Sequence, residues 1–134
     1  CHPSVAANKN GEVALMWRNS LKGNRDMYVS LSHDRGQSFG PAKQLGTNSW
    51  KLEGCPVDGG DLFLTPKGEF MAVWRREHSL FLSGQPGAET ELIQGSQAVI
   101  DMVGDLLVFA WQDNGRVKLN HVEPIVQIFS KFPL

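Results

Sequence analysis

Apolar residues in this chain run in short bursts, alternating with polar positions or continuous for about five residues, and each burst is closed by Gly, Asn, Asp or Pro. A helix usually needs about ten residues at a period of 3.6 to bury one face, and these bursts are shorter than that. The pattern predicts strands joined by tight turns, with almost no helix. One burst recurs three times: Gly11-Glu-Val-Ala-Leu-Met-Trp17, Gly68-Glu-Phe-Met-Ala-Val-Trp74 and Gly104-Asp-Leu-Leu-Val-Phe-Ala-Trp111. Each copy sets a turn glycine and an acid before an apolar run that ends in an indole.

The flanks of each copy repeat as well. The first unit predicts strands over Ser4 to Ala7, Val13 to Trp17, Met27 to Ser32 and Ala42 to Leu45, with a turn at Asn8-Lys-Asn-Gly11. The second predicts Asp61 to Leu64, Phe70 to Trp74, Leu80 to Ser83 and Glu91 to Ile93, with Pro66-Lys-Gly68 as its first turn. The third predicts Ala98 to Met102, Leu106 to Trp111, Val117 to His121 and Ile125 to Phe129, with a tight hairpin at Asn114-Gly115. Self-similarity at a spacing of tens of residues is the mark of stacked supersecondary units, and four-stranded radial sheets are the variety rich in short strands.

Between the third and fourth strands of the first unit lies Ser32-His-Asp34-Arg-Gly36-Gln-Ser38-Phe39, a complete S-x-D-x-G-x-[ST]-[FW] pattern. The chemistry of such a turn is direct. Asp34 accepts backbone N–H groups across it, Gly36 takes a positive φ without penalty, and Phe39 offers an anchor to tuck beneath the next strand. Ser83-Gly-Gln85-Pro-Gly87 reads as a decayed copy with Gln in place of Asp. On these residues the chain resembles the Asp-box (BNR-repeat) family of sialidase-like β-propellers. The resemblance implies an all-β fold: a β-propeller fragment of about three four-stranded antiparallel blades over 1–50, 51–94 and 95–134, one propeller unit across 1–134 and half of a six-bladed wheel. The remaining blades would come from the parent chain or a second copy, and the apolar tail Ile125 to Phe132 would join such a contact. The box, in this family, sits on the rim away from the substrate cleft, so Ser32, Asp34, Gly36 and Phe39 are expected to be structural.

Composition narrows the partners. Thirteen Lys and Arg stand against 14 Asp and Glu among 134 residues, a net charge of −1, which points to no nucleic acid and no anionic surface. The longest apolar stretch, Leu106 to Trp111, is far short of the about 20 residues of a membrane-spanning helix. The first residue is Cys rather than Met, which reads as a processed product or an excerpt from something longer. Cys1 and Cys55 stand at matching points before a proline, as Cys1-His2-Pro3 and Cys55-Pro56; a disulfide in an extracellular or periplasmic setting and a pair of buried thiols both fit. Cys1, His2 and Cys55 as metal ligands would need a fourth that the sequence does not nominate. Gly59-Gly60 lacks the Lys and Ser/Thr of a phosphate loop, and C-x-x-C-H is missing, so no metal and no cofactor is expected.

The residue after each repeated Trp should emerge at one end of the assembly: Arg18, Arg75 and Gln112. Two arginines on neighbouring units suit the planar, bidentate recognition of a carboxylate, and both also suit stems packed on neighbouring indoles. Arg25 and Asp26 precede the third strand and would either join the cleft or form a local ion pair. Glu53 and Asp58 lie on the connection between the first two units and are the acidic candidates for catalysis. The resemblance implies that Arg18 and Arg75 hold the carboxylate of an acidic sugar or glycan, in the manner of a sialidase's arginine triad. It also implies an exo-α-sialidase-like hydrolase using a Tyr nucleophile with a Glu and an Asp acid/base. Tyr28, the one tyrosine, lies inside a strand just before the box and reads as packing, and the F/Y-R-I-P segment of characterised sialidases is missing. A non-catalytic propeller binding glycan or protein is the alternative.

Overall fold

A computed structural model describes residues 2–122. Among them the chain is all β, without a helix, and forms three antiparallel sheets that follow one another in sequence. The first sheet holds β1 (Ser4–Ala7), β2 (Val13–Arg18), β3 (Met27–Ser32) and β4 (Lys43–Gln44) in that order. The second repeats the meander with β5 (Asp61–Leu64), β6 (Phe70–Arg76), β7 (Ser79–Ser83) and β8 (Thr90–Gln94), and the third with β9 (Ser96–Val103), β10 (Leu106–Asp113) and β11 (Arg116–Val122). The expected strand at Ile125 to Phe129, the rest of the apolar tail and Cys1 lie outside the described residues.

The expected strands differ from the observed ones mainly at their ends. The ladder of β4 is only two pairs long, Tyr28↔Gln44 and Val29↔Lys43, where Ala42 to Leu45 was expected. Pro41 precedes it and supplies no N–H, and Leu45 turns inward to be 2% exposed while its amide still reaches the Met27 carbonyl at 2.8 Å. Strands β6 and β10 each run two residues past their Trp, because Arg75 and Arg76 pair with Leu80 and Ser79, and Gln112 and Asp113 with Val117 and Arg116.

The sheets stack through their first strands: β5 packs against β1 on one side and β9 on the other. The middle sheet is therefore covered on both faces. Its strand β6 shows the consequence, since Phe70, Ala72 and Trp74 enter the core shared with the first sheet, while Met71 and Val73 enter the core shared with the third. Alternation at a period of two places successive side chains on opposite faces, so a strand buried on both reads as a continuous apolar run. In contrast, β2 and β10 alternate buried with half-buried residues. Ala14 and Met16 of β2 face the middle sheet, as do Leu107, Phe109 and Trp111 of β10. Each large side chain removed fully from water, such as Met16, Met71 or Leu107, stabilises the stack by about 1.5–3 kcal/mol.

The three repeated indoles occupy equivalent places. Trp74 leaves the second sheet toward the first, Trp111 leaves the third toward the second, and Trp17 leaves the first sheet on the face opposite Met16. Trp17 stacks on Tyr28 and Trp74 on Phe81, both with ring centroids 6.2 Å apart and both across a register pair. Lys118 stands opposite Trp111 in the third sheet, and the indole stacks instead on Phe109 at 5.2 Å.

Polar side chains tie one sheet to the next where backbone groups face each other. Ser4 Oγ donates to the Gly60 carbonyl at 2.7 Å, and Asn8 and Asn10 reach the Thr65 and Pro66 carbonyls at 3.0 and 2.8 Å. Asp61 accepts the Ile100 amide at 3.1 Å. Gly60, at φ +73°, leads into β5 close against β6 of its own sheet, since a Cβ there would run into the Val73 carbonyl.

Candidate functional site

Residues that follow the repeated indoles gather at one end of the stack. The register of the first sheet defines this end, where Arg18 pairs with Met27, while Val13 pairs with Ser32 at the other. Arg18 reaches across to the second sheet, and Arg75 and Gln112 line one cleft between the second and third.

Arg18 is 9% exposed and its guanidinium is satisfied by backbone: Nε donates to the Asp58 carbonyl at 3.1 Å, Nη1 to that of Arg25 at 2.6 Å and Nη2 to that of Arg75 at 2.7 Å. Burial lowers its pKa to about 10, opposed by the Asp58 carboxylate and reinforced by the neighbouring Arg75 cation. Arg18 is thus a clamp between three chain segments as well as a wall of the cavity beside it. Arg75 points its Nη1 at Asp58 Oδ2, 3.4 Å away. Asp58 is 1% exposed, and the same oxygen accepts the Gln97 amide at 2.9 Å, so this carboxylate joins the second and third sheets and does not stand open to a reactant, while the Asp58 carbonyl takes Arg18 of the first.

Trp50 meets both arginines. The Cζ atoms of Arg18 and Arg75 each lie 5.4 Å from its ring centroid, so one indole faces two guanidinium groups. The arginines therefore come together over an aromatic platform and beside Asp58, and they open onto different cavities. Arg18 and Arg25 line one of about 270 Å3 with Asn19, Ser20, Gly54 and Cys55, while Arg75 lines the cleft on the far side. Sequence reasoning passed over Trp50. Its signal was there, because it is the one indole outside the repeated bursts and it stands in the polar stretch Gly46-Thr-Asn-Ser-Trp50-Lys.

Asp26 explains how the platform is held. Its carboxylate accepts the Trp50 amide at 2.9 Å and the Ser49 hydroxyl at 2.8 Å, and the Arg25 amide donates to the Trp50 carbonyl at 2.7 Å. The Arg25 side chain turns instead to the Ser20 hydroxyl and to the Gly54 carbonyl, the latter at 2.5 Å. A second lock holds the loop from its other side: Glu89 takes Arg76 bidentately at 2.7 and 2.8 Å and also accepts Thr47 and Asn48. Burial raises the Glu89 pKa and these donors more than reverse it, leaving it below the ordinary value.

Glu53 is exposed on the connection between the first two sheets. Cys55, on the same connection, is disulfide-bonded, and its expected partner Cys1 lies outside the described residues. Among the described residues no three of His, Cys, Asp and Glu gather as a metal site, and no helix is long and apolar enough to cross a membrane.

The box occupies the opposite end of the first sheet. Asp34 Oδ1 accepts the Ser38 amide at 2.9 Å and the Ser32 hydroxyl at 2.7 Å, and Ser32 Oγ accepts the Gly36 amide at 2.9 Å. The Ser38 hydroxyl and amide, then the Ser32 hydroxyl, hold the Asp34 carboxyl down to about 2. Gly36 has φ +79°. The Ser83 turn keeps part of the geometry, with the Gln85 amide on Ser83 Oγ at 3.2 Å and Gly87 at φ +73°. Phe39 departs from expectation. It remains 43% exposed instead of tucking under the next strand, because the chain leaves the sheet at Gly40, whose amide bonds the Leu31 carbonyl at 2.9 Å, before β4 begins.

At the level of sequence, no family model and no curated protein matches the chain. What the arrangement offers chemically is a donor-rich cavity beside Arg18 and Arg25 and a mixed polar cleft beside Arg75, both at the end of the sheets away from the box.

Proposed function

We propose that the chain is part of an Asp-box, sialidase-like β-propeller that recognises an acidic sugar or glycan at the end of the sheets marked by Arg18 and Arg25. The observation that carries this reading is the cavity of about 270 Å3 walled by both guanidinium groups, with Asn19 and Ser20 beside them. Bonds to protein acceptors fix both guanidinium planes before a ligand arrives, and the N–H groups they leave over are suited to a carboxylate. Stacking of the sheets through their first strands, the common direction of Trp17, Trp74 and Trp111, and the hydrogen-bonded box support the propeller. So do the outer faces of the first and third sheets, where Val5, Val117 and Leu119 are 68%, 83% and 69% exposed and further blades would pack. The disulfide at Cys55 supports an extracellular or periplasmic setting.

The test is titration of the protein with N-acetylneuraminic acid and with its methyl ester, which keeps the ring and loses the charge. The acid should bind at least tenfold more tightly than the ester, and Arg25→Ala should erase that difference. Equal affinity for acid and ester defeats the acidic-sugar reading.

Binding without hydrolysis is the second reading, and a specific observation favours it for the described residues. Asp26 and Asp58 are both committed to structural hydrogen bonds, and Tyr28 stacks on Trp17 on the outer face of the first sheet. Turnover of a fluorogenic sialoside that is lost in Glu53→Gln decides for hydrolysis through this chain.

A further inference from the structure

We propose that the polar cleft between the second and third sheets is a separate site for a neutral, hydroxyl-rich sugar unit. The cleft is about 450 Å3 and lies at the same end as the arginine cavity, within the about 300–1,000 Å3 usual for small-molecule sites. Its walls mix donors with acceptors: Gln94, Ser96, Gln112 and Asn114 bring amide and hydroxyl groups, and Glu77 and His78 stand at the β6–β7 turn. Side chains of this kind match a ring of hydroxyls, each of which both donates and accepts.

A further observation points to a ligand. Arg75 Nε and Trp111 Nε1 are buried donors that find no hydrogen-bond partner among the described residues. Both belong to this junction. Arg75 lines the cleft, and the Trp111 indole edge lies under Gly95, another lining residue, with Nε1 only 3.2 Å from where a Cβ on that glycine would stand. Native proteins rarely leave such donors unsatisfied; the Arg75 side chain, 22% exposed in the cleft wall, can turn its Nε to an acceptor oxygen there, while the Trp111 indole lies behind Gly95 and senses that wall.

Charge decides between an acidic and a neutral occupant. Arg75 already faces the Asp58 carboxylate at 3.4 Å, and Asp113 is met by Lys118 Nζ at 2.6 Å. Those two pairs cancel, and the Glu77 carboxylate in the same wall adds negative charge that disfavours an acidic occupant, whereas the cavity of Arg18 and Arg25 keeps its cationic character. The two spaces are linked by the bond from Arg18 Nη2 to the Arg75 carbonyl at 2.7 Å and would read adjacent units of one glycan, one charged and one neutral. The choice of a sugar rests on the function proposed above; the site itself does not.

The test uses the indole N–H resonance of Trp111 in a proton–nitrogen spectrum, assigned by its loss in Trp111→Phe. Lactose, methyl mannoside and N-acetylglucosamine are titrated separately, up to on the order of tens of millimolar, the range of weak sugar affinities. At least one should shift the Trp111 resonance, and Gln112→Ala, which changes an exposed residue and disturbs no packing, should weaken that sugar about tenfold while Arg25→Ala leaves it unchanged. A Trp111 resonance unmoved by all three sugars, or an unaltered affinity in Gln112→Ala, overturns the site. Neutral-sugar binding without N-acetylneuraminic acid binding defeats the acidic-sugar reading alone; the reverse result defeats this one alone.

Discussion

Removing the Arg18 guanidinium should loosen the junction of the first two sheets before it affects any ligand. Arg18→Ala takes donors from three carbonyls, those of Asp58, Arg25 and Arg75, now held at 3.1, 2.6 and 2.7 Å. A buried acceptor left unsatisfied costs about 1–3 kcal/mol. Two effects hold the total toward the lower end. Water can enter from the cavity of about 270 Å3 beside Arg18 and replace some of the lost bonds. The buried cation, whose pKa burial lowers to about 10, also no longer has to be kept out of water. The net loss is about 3–4 kcal/mol, which for a chain of this size lowers Tm by about 10–15 °C. Urea unfolding followed by tryptophan fluorescence measures it, with Arg18→Met as the companion that keeps the apolar stem but supplies no donors. Both variants should lose comparable stability. A loss below about 1 kcal/mol in Arg18→Ala, at unchanged m-value, would mean that the three carbonyls have other donors, and the clamp is refuted.

Three other consequences can be measured directly. Because the folded pKa of Asp34 is about 2 against an ordinary 3.8, its contribution to stability is present above about pH 4 and is lost as pH falls toward 2; Asp34→Asn should flatten this acid limb of the urea midpoint, and an identical limb in both proteins argues against the box as its source. Glu89→Gln keeps the shape but breaks the bidentate pair with Arg76, both side chains being 14% exposed or less, and should cost about 2–3 kcal/mol. The same variant should speed hydrogen exchange at the Thr47 amide, which Glu89 now accepts at 3.3 Å. Gly60→Ala places a Cβ against the Val73 carbonyl at φ +73° and should cost about 2 kcal/mol or more, whereas Gly23→Ala, at φ +81° with open space around it, should cost about 1 kcal/mol. Similar losses at the two glycines would show that φ alone, and not the close approach of the Val73 carbonyl, sets the penalty.

Strand existence was legible from short-range pattern. The bursts ending at Trp17, Trp74 and Trp111 are the second strands of three meanders, and the turns at Asn8 to Gly11, Pro66 to Gly68 and Asn114-Gly115 fall where the punctuation predicted. This follows because strand alternation and turn chemistry are properties of a few consecutive residues. The box geometry was legible for the same reason, as its hydrogen bonds join residues no more than four apart. Which face of each strand is buried, and by how much, was not. Phe70, Met71, Ala72, Val73 and Trp74 are all interior only because a sheet lies on either side of them. The site depended still more on distance in sequence. Arg18 meets a carbonyl 57 residues away, and Trp50 meets Arg18 and Arg75 from a loop whose position is set by Asp26 and Glu89. Sequence alone therefore determined the elements and the residues available at their ends. Only the stacking of the sheets decided that two arginines share an indole, that Asp58 is a structural carboxylate, and that Arg18 and Arg75 open onto different cavities, because each of these is a long-range contact that no local pattern encodes.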